Sequence, residues 1–466
     1  MLTWLQTSTP GLLLLSAVGI AVLLTMIIKF KVEPFIALLI AGVLVALTAG
    51  LPIDKLVGSA QSAKESLIET GFGGVLGHVA AIIGLGTLLG AILEASGGAE
   101  VLTRRLLALF GENRAPLAMG LAGLIFGIPV FFDIGIFVLA PLVYVAAKRS
   151  GRSIVLYAMP LLAGLSVMHA FLPPHPGPVA LAGLLKVDLG WLIIMGLACA
   201  IPAWLIGGVF FSSWIGKRIN IPVAEELVAA GEAFAEKNKD RTVPLLGLVA
   251  FIIGLPLALI LGATFGSVLL PKGNEVLKVL TFFGNPAIAL TIALLLALWL
   301  LGTRRGMTGK EIGEMTGAAL RPVGMILLVI GAGGFFGAVL SATGVGKALA
   351  GTLSDAGLPF IVLAYVISCG LRIAQGSATV AIVTTAGIVA PLLADAGYSQ
   401  PQLALIGASI AAGSIIASHV NDGGFWIVSK YFGIPTKETL QTWTVLETIL
   451  SVVGFGVAAI LSVVIG

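Results

Sequence analysis

Arg372 lies inside the apolar segment 357–395 and is followed by IAQGSAT, Ile373 to Thr379. A guanidinium presents a planar fork of donors that fits a carboxylate bidentately. The glycine and small polar residues after it suit a helix break. A helix restarting there offers free N–H groups and the positive end of its dipole to the same anion. The segment reads as an anion-binding tip suited to a carboxylate, with Gln375, Ser377 and Thr379 beside Arg372. The same residues also allow a structural ion pair, for instance between Arg372 and Asp133.

Further polar residues stand at other interruptions. Asp133 ends GIPVFFD (Gly127 to Asp133) and fits two roles: a cap for the helix that follows, or a carboxylate that titrates or binds a hydroxyl. In LPPHPGP (Leu172 to Pro178), prolines on both sides of His175 remove backbone donors and unwind the chain. The imidazole is then placed to meet a substrate hydroxyl or shuttle a proton. His169, on the preceding helical arm, reads rather as a packed, hydrogen-bonded histidine. SHVNDGG (Ser418 to Gly424) supplies His419, Asn421 and Asp422 next to glycines that permit close backbone approach. Asn421 is a hydroxyl partner and Asp422 a second proton site beside Asp133; a plain Asx-capped turn is the alternative. Glu447, near the start of the last apolar segment, is either intramembrane or paired at the cytoplasmic boundary.

The elements that position these residues are set by composition. Of 466 residues, 58% are hydrophobic and 10% charged, against roughly 25% charged in soluble domains. With a mean hydropathy of +1.11, the chain reads as an all-α, polytopic integral membrane protein. Apolar segments fall at 11–28, 34–50, 72–95, 115–149, 153–185, 188–215, 244–263, 276–302, 316–342, 357–395, 401–429 and 440–466, the first read as a retained span. The stretch 115–149 splits at GIPVFFD into arms too short to cross the hydrocarbon, and 357–395 splits likewise around LRIAQGSAT; both read as re-entrant helical hairpins. Broken helices follow at 153–185 and 401–429. Cys199 and Cys369 lie in apolar runs and form neither a disulfide framework nor a metal cluster.

GAILEASGGAEVL (Gly90 to Leu102) aligns with GAVLSATGVGKAL (Gly337 to Leu349), and VLAPLV (Val138 to Val143) with IVAPLL (Ile388 to Leu393), at nearly one offset. The chain therefore reads as two repeats, 1–215 and 244–466, joined by a cytoplasmic linker at 216–243. With the N-terminus outside, nineteen of the 26 Lys and Arg residues fall on the cytoplasmic side and six outside, leaving Arg372 within a hairpin. The positive-inside rule selects that orientation, with the C-terminus also extracytoplasmic. An odd number of crossings inverts the second repeat, as in secondary transporters with a midplane site. The net charge of +4 is scattered at segment ends and forms no nucleic-acid face. GGVLG (Gly73 to Gly77) and GLGTLLG (Gly84 to Gly90) predict close helix packing, not nucleotide binding, and no Walker A motif provides for ATP hydrolysis. A channel is disfavoured by two hairpins of opposite entry, and an enzyme by the lack of a nucleophile–His–acid or metal-ligand signature.

FGIPVFFDIGIF (Phe126 to Phe137), HAFLPPHPGPVA (His169 to Ala180), GSATVAIVTTAGIVAPL (Gly376 to Leu392) and SHVNDGGFWIVSKYF (Ser418 to Phe432) resemble the signature segments of the gluconate permease family, the gluconate:proton symporters of the ion-transporter superfamily. The resemblance runs over nearly the whole chain. It implies proton-driven uptake of gluconate or a related sugar acid through a bacterial inner membrane, with no cofactor beyond the proton. It also implies a homodimer working by an elevator-like motion. Relatives for D-serine and other acids leave a different small monocarboxylate as the alternative substrate.

Overall fold

Proline and glycine decide where the apolar helices of this chain stop. The computed structural model describes residues 2–58, 66–111, 114–227, 229, 243–271, 273–344, 359–394, 396–420 and 422–465; among them there are helices and turns but no strand. The chain begins with α1 (Leu2–Thr7), α2 (Thr9–Ile28), α3 (Pro34–Thr48), α4 (Ile53–Val57), α5 (Leu67–Ala95) and α6 (Gly98–Phe110). Next come α7 (Ala115–Gly127), α8 (Phe132–Ser150), α9 (Val155–Phe171), α10 (Pro176–Leu185) and α11 (Leu189–Ala203). A π-helical stretch, Trp204–Phe211, leads from α11 into α12 (Ser212–Arg218). Half of the predicted linker 216–243, residues 228 and 230–242, lies outside the described residues.

The later helices are α13 (Leu246–Leu269), α14 (Glu275–Phe283), α15 (Pro286–Ala297), α16 (Gly309–Leu320), α17 (Val323–Ala342), α18 (Phe360–Gln375) and α19 (Ala378–Leu393). They are followed by α20 (Gln400–Ile415), α21 (Gly423–Tyr431), α22 (Thr436–Thr439), a π-helical turn (Leu440–Thr444) and α23 (Val445–Ile465). Eight helical segments among the described residues are long and apolar enough to cross a membrane.

The interruptions have local causes. Ile128 keeps helical angles, φ −61° and ψ −56°, but Pro129 has no N–H to continue the hydrogen-bond ladder, so α7 ends there and α8 restarts at Phe132. α9 ends ahead of Pro173, and α10 opens on Pro176, where a missing N–H costs no hydrogen bond. Gly376 ends α18 at φ 86°, a left-handed conformation that favours glycine. Ser377 caps the next helix by accepting from Val380 N at 3.4 Å. One predicted element differs: 276–302 is not a single span, because Asn285 starts a new helix by accepting from the N–H of Ala287 at 3.1 Å. The chain breaks at Gly284–Asn285, and α14 has no buried residue.

At the centre, α9 is buried along nearly its whole length and α20 from Ala404 to Ile415. α7 lies on α9, α18 on α20, and α5 on α17; α10 meets α19, and α8 meets α21. The α7–α9 contact is backbone on backbone. A Cβ on Gly123 would stand 2.3 Å from Leu161 O, and one on Gly164 2.6 Å from Leu124 N. α5 approaches two of the breaks in the same manner, through Gly86 against Pro174 and Gly90 against Pro129. The close packing expected along GGVLG is not found among the described residues, where Gly73, Gly74 and Gly77 have no such neighbour within 4 Å. Non-helical backbone at this depth is tolerated because protein covers it or because it lines a cavity.

The glycine contacts predict an asymmetry. Gly164→Ala forces α7 and α9 apart and should cost about 1–3 kcal/mol, read as a lower melting temperature in detergent. Gly73→Ala, facing open space, should leave the melting temperature unchanged or raise it.

Candidate functional site

Three helices begin at one cavity. α8 starts at Phe132, α19 at Ala378 and α21 at Gly423, and all three first turns line a space of ≈ 420 Å³. That volume falls within the roughly 300–1,000 Å³ of small-molecule sites. First-turn N–H groups have no acceptor within their own helix, so an anion here meets three positive dipole ends. Ser377 and Asp422 each cap one of these helices, whereas Phe131 gives α8 no side-chain cap.

Arg372, only 5% exposed, extends from the last turn of α18. Its Nη1 donates to the carbonyl of Gly376 and its Nη2 to Oδ2 of Asp422. The Ser418 hydroxyl donates to the same carboxylate oxygen, and Gly424 N donates to Oδ1 at 2.8 Å. Trp443 Nε1 in turn donates to Ser418 Oγ at 2.8 Å, and Thr444 Oγ1 donates to Ser418 O at 2.5 Å. The counter-ion of Arg372 is therefore Asp422 and not Asp133. Asp422 caps α21 at the facing break, which brings its carboxylate to the guanidinium. Part of the expected fork is thus turned onto the protein. Among the described residues Nε of Arg372 has no partner, nor has either polar side-chain atom of Gln375 on the cavity wall.

Asp133 lies in the first turn of α8 rather than at its cap, and its exposed side chain lines the cavity. Ser377 and Thr379 line it as well. His175 does not: it is 2% exposed, and its Nε2 donates to the carbonyl of Gly127 at 2.6 Å. Its ring stands 4.7 Å from that of His169 and 5.9 Å from Phe131. The proline-rich turn folds back against the first hairpin, so His175 ties those two breaks together. His169, read from sequence as a packing residue, takes the cavity wall instead, with Nδ1 unpartnered among the described residues. Asn421 lies outside the described residues. His419 bonds through Nε2 to the carbonyl of Ile373 at 3.1 Å, linking the two breaks that carry Arg372 and Asp422.

Ser166, Trp443 and Phe132 also line the cavity without having been singled out from sequence. Phe132 stacks on Trp443, centroids 5.5 Å apart at 27°, joining the first hairpin to the segment that leads into α23. Glu447, 1% exposed, belongs to the wall too. It had a legible signal as the lone acid in 440–466.

A family model described as GntP family permease matches residues 11–464. The chain is 44% identical to the inner membrane permease YgbN of Escherichia coli K12, over 96% of this chain and 98% of that protein. It is 42% identical to a gluconate permease of Pseudomonas aeruginosa, over 97% of each. It is 38% identical to the low-affinity gluconate transporter of E. coli K12, over 95% of this chain and 96% of that one. Among solved structures, MtrF of Neisseria gonorrhoeae, from a class of antimetabolite efflux pumps, superposes with a TM-score of 0.64 at 18% identity, over 100% of this chain and 97% of that one. The YdaH transporter of Alcanivorax borkumensis, of unusual topology, gives 0.61 at 17% identity over 93% and 97%. These two share the fold. By family match and full-length identity, this all-helical membrane protein belongs to the GntP family of permeases.

Proposed function

We propose that this permease is a secondary transporter that carries gluconate or a related sugar acid, together with a proton, into the cell across a bacterial inner membrane. One observation carries the reading: three helix N-termini, Arg372 and the unpartnered amide of Gln375 meet on one cavity. A carboxylate placed there takes N–H donors from the start of α19, from Nε of Arg372 and from Gln375. Ser377, Thr379, Asp133 and His169 are placed to meet a polyol chain. The relatives named gluconate permease and low-affinity gluconate transporter support the substrate, and the one named inner membrane permease supports the location.

Coupling to protons needs a titratable group at the cavity, and Asp133, Asp422 and Glu447 are all present. Two inverted repeats, 1–215 and 244–466, complete the reading, with both termini outside and a homodimer as the working unit. The reciprocity of the packing supports the repeats: α7 lies on α9 as α18 lies on α20, and α8 meets α21 as α10 meets α19. Asp133 would equally receive an ammonium group, so D-serine or another small amino acid is the competing substrate. Competition of labelled gluconate uptake by a panel of acids decides between them.

Proteoliposomes should accumulate gluconate when an inward proton gradient is imposed and equilibrate without accumulation when it is collapsed. Equal accumulation under both conditions would overturn proton coupling, and flux that never saturates would make the protein a channel. Arg372→Lys should weaken gluconate binding about 10- to 100-fold, through loss of charge-assisted hydrogen bonds worth about 1.5–3 kcal/mol. Asp422→Ala, which strands a buried guanidinium, should cost about 3–5 kcal/mol of stability. The Arg372→Gln, Asp422→Asn double variant should recover much of that stability while binding gluconate no better than Arg372→Lys. Wild-type affinity in the double variant would remove Arg372 from the site.

A further inference from the structure

The three carboxyl groups on the cavity stand in different company. Asp422 is fixed by Arg372, Ser418 and Gly424 N. Asp133 opens to the cavity at the start of α8, where the helix dipole favours negative charge. Glu447, in the first turn of α23, is 1% exposed and has no cation of its own among the described residues. Ser166 of α9 lines the same cavity, and Oε1 of Glu447 has no partner among the described residues.

The groups that face Glu447 can be named element by element. Arg372 of α18 and Asp422 at the cap of α21 act on it through space. His169, one turn beyond Ser166 on α9, borders the same cavity. α11, α20 and the π-helical stretch Trp204–Phe211, which pack along α23, carry no charged residue. Tyr365 of α18 is engaged one turn further along by Ser451, at 3.0 Å. On α22, Lys437 is exposed and Glu438 precedes the π-helical turn.

Taking a carboxylate out of water costs several kcal/mol unless a partner offsets it. Here the nearest guanidinium is already paired, so Glu447 is ionised only while water reaches it through the cavity, and an anion entering beside it calls for a proton. The arithmetic of the site agrees. Among the described residues Arg372 is the one arginine or lysine on the cavity wall, and it is already paired with Asp422, while Asp133 on the same wall adds no cation. Gluconate adds a negative charge; a proton taken up by Glu447 in the same step leaves the net charge as it was.

We infer that Glu447 is the proton-binding group of the transport cycle: its carboxylate takes up one proton as the anion enters and gives it back where the anion leaves. The assignment rests on the proton-coupled reading above, and it moves the proton from Asp133 and Asp422, the residues predicted from sequence, to a residue deeper in the wall.

The test uses the full-length protein in proteoliposomes. One proton per monovalent anion is an electroneutral load, so a one-unit pH gradient supports about tenfold accumulation of gluconate. Glu447→Gln should still exchange labelled gluconate between equal concentrations, within about tenfold of the wild-type rate, while its accumulation ratio falls to about one. Gluconate-induced proton entry, followed with an internal pH dye, should fall to background. Continued proton entry in Glu447→Gln overturns the assignment. So does loss of gluconate-induced thermal stabilisation in that variant, which would make Glu447 a substrate ligand. If Glu447→Gln yields no folded protein, Glu447→Asp should keep coupling with a displaced pH profile; an unchanged profile overturns the assignment. Wild-type protein that moves gluconate without protons defeats the coupled reading itself, whatever the variants do.

Discussion

Arg372 and Asp422 reach each other from two different helix breaks, the tip between α18 and α19 and the turn between α20 and α21, and both are buried. Charges in apolar surroundings are tolerated only with close partners and satisfied hydrogen bonds, so this contact fixes the position of everything attached to it. Ser418 must lie where its hydroxyl can reach Asp422, and it is held from behind by Trp443 and Thr444. The chain accommodates this turn with Ala417 at φ 46°, a conformation that few non-glycine residues adopt. The N-termini of α19 and α21 then face one space because the residues flanking each are bound to the other.

The opposite wall is set by shape rather than charge. Gly123 and Gly164 let α7 and α9 touch through their backbones, and Gly86 and Gly90 bring α5 against Pro174 and Pro129. His175 closes this side by donating to Gly127 O, and the Phe132–Trp443 stack joins it to the charged side. A polar pair and a set of side-chain-free contacts thus frame the cavity. Asp133 and His169 reach it from the second, and Arg372, Gln375 and Ser377 from the first.

The breaks were legible in the sequence because proline and glycine act on their immediate neighbours: Pro129, the run Leu172 to Pro178, Gly376 and Gly423–Gly424 each sit where a helix stops or starts. Asn285 carried the same kind of signal, but the apolar run around it outweighed that signal and one span was predicted where two helices form. Pairings between distant segments were not legible. Nothing local states that Arg372 meets Asp422 rather than Asp133, or that the proline-rich turn faces His175 away from the cavity and leaves His169 on its wall. Glu447 lay between these cases: its isolation in an apolar segment was visible, its neighbours were not.

Asp422 serves at once as the N-cap of α21 and as the counter-ion of Arg372. Most helix caps drift freely among serine, threonine, asparagine and aspartate, because each supplies an acceptor oxygen. Ser399, which opens α20 with an ordinary capping box, has that freedom. Position 422 does not, since asparagine or serine would preserve the cap and abandon the guanidinium. Across descendants of this sequence, positions 372 and 422 are bound to change together or stay as they are, and a cap that ordinarily records only local helix grammar becomes a record of the charge it faces.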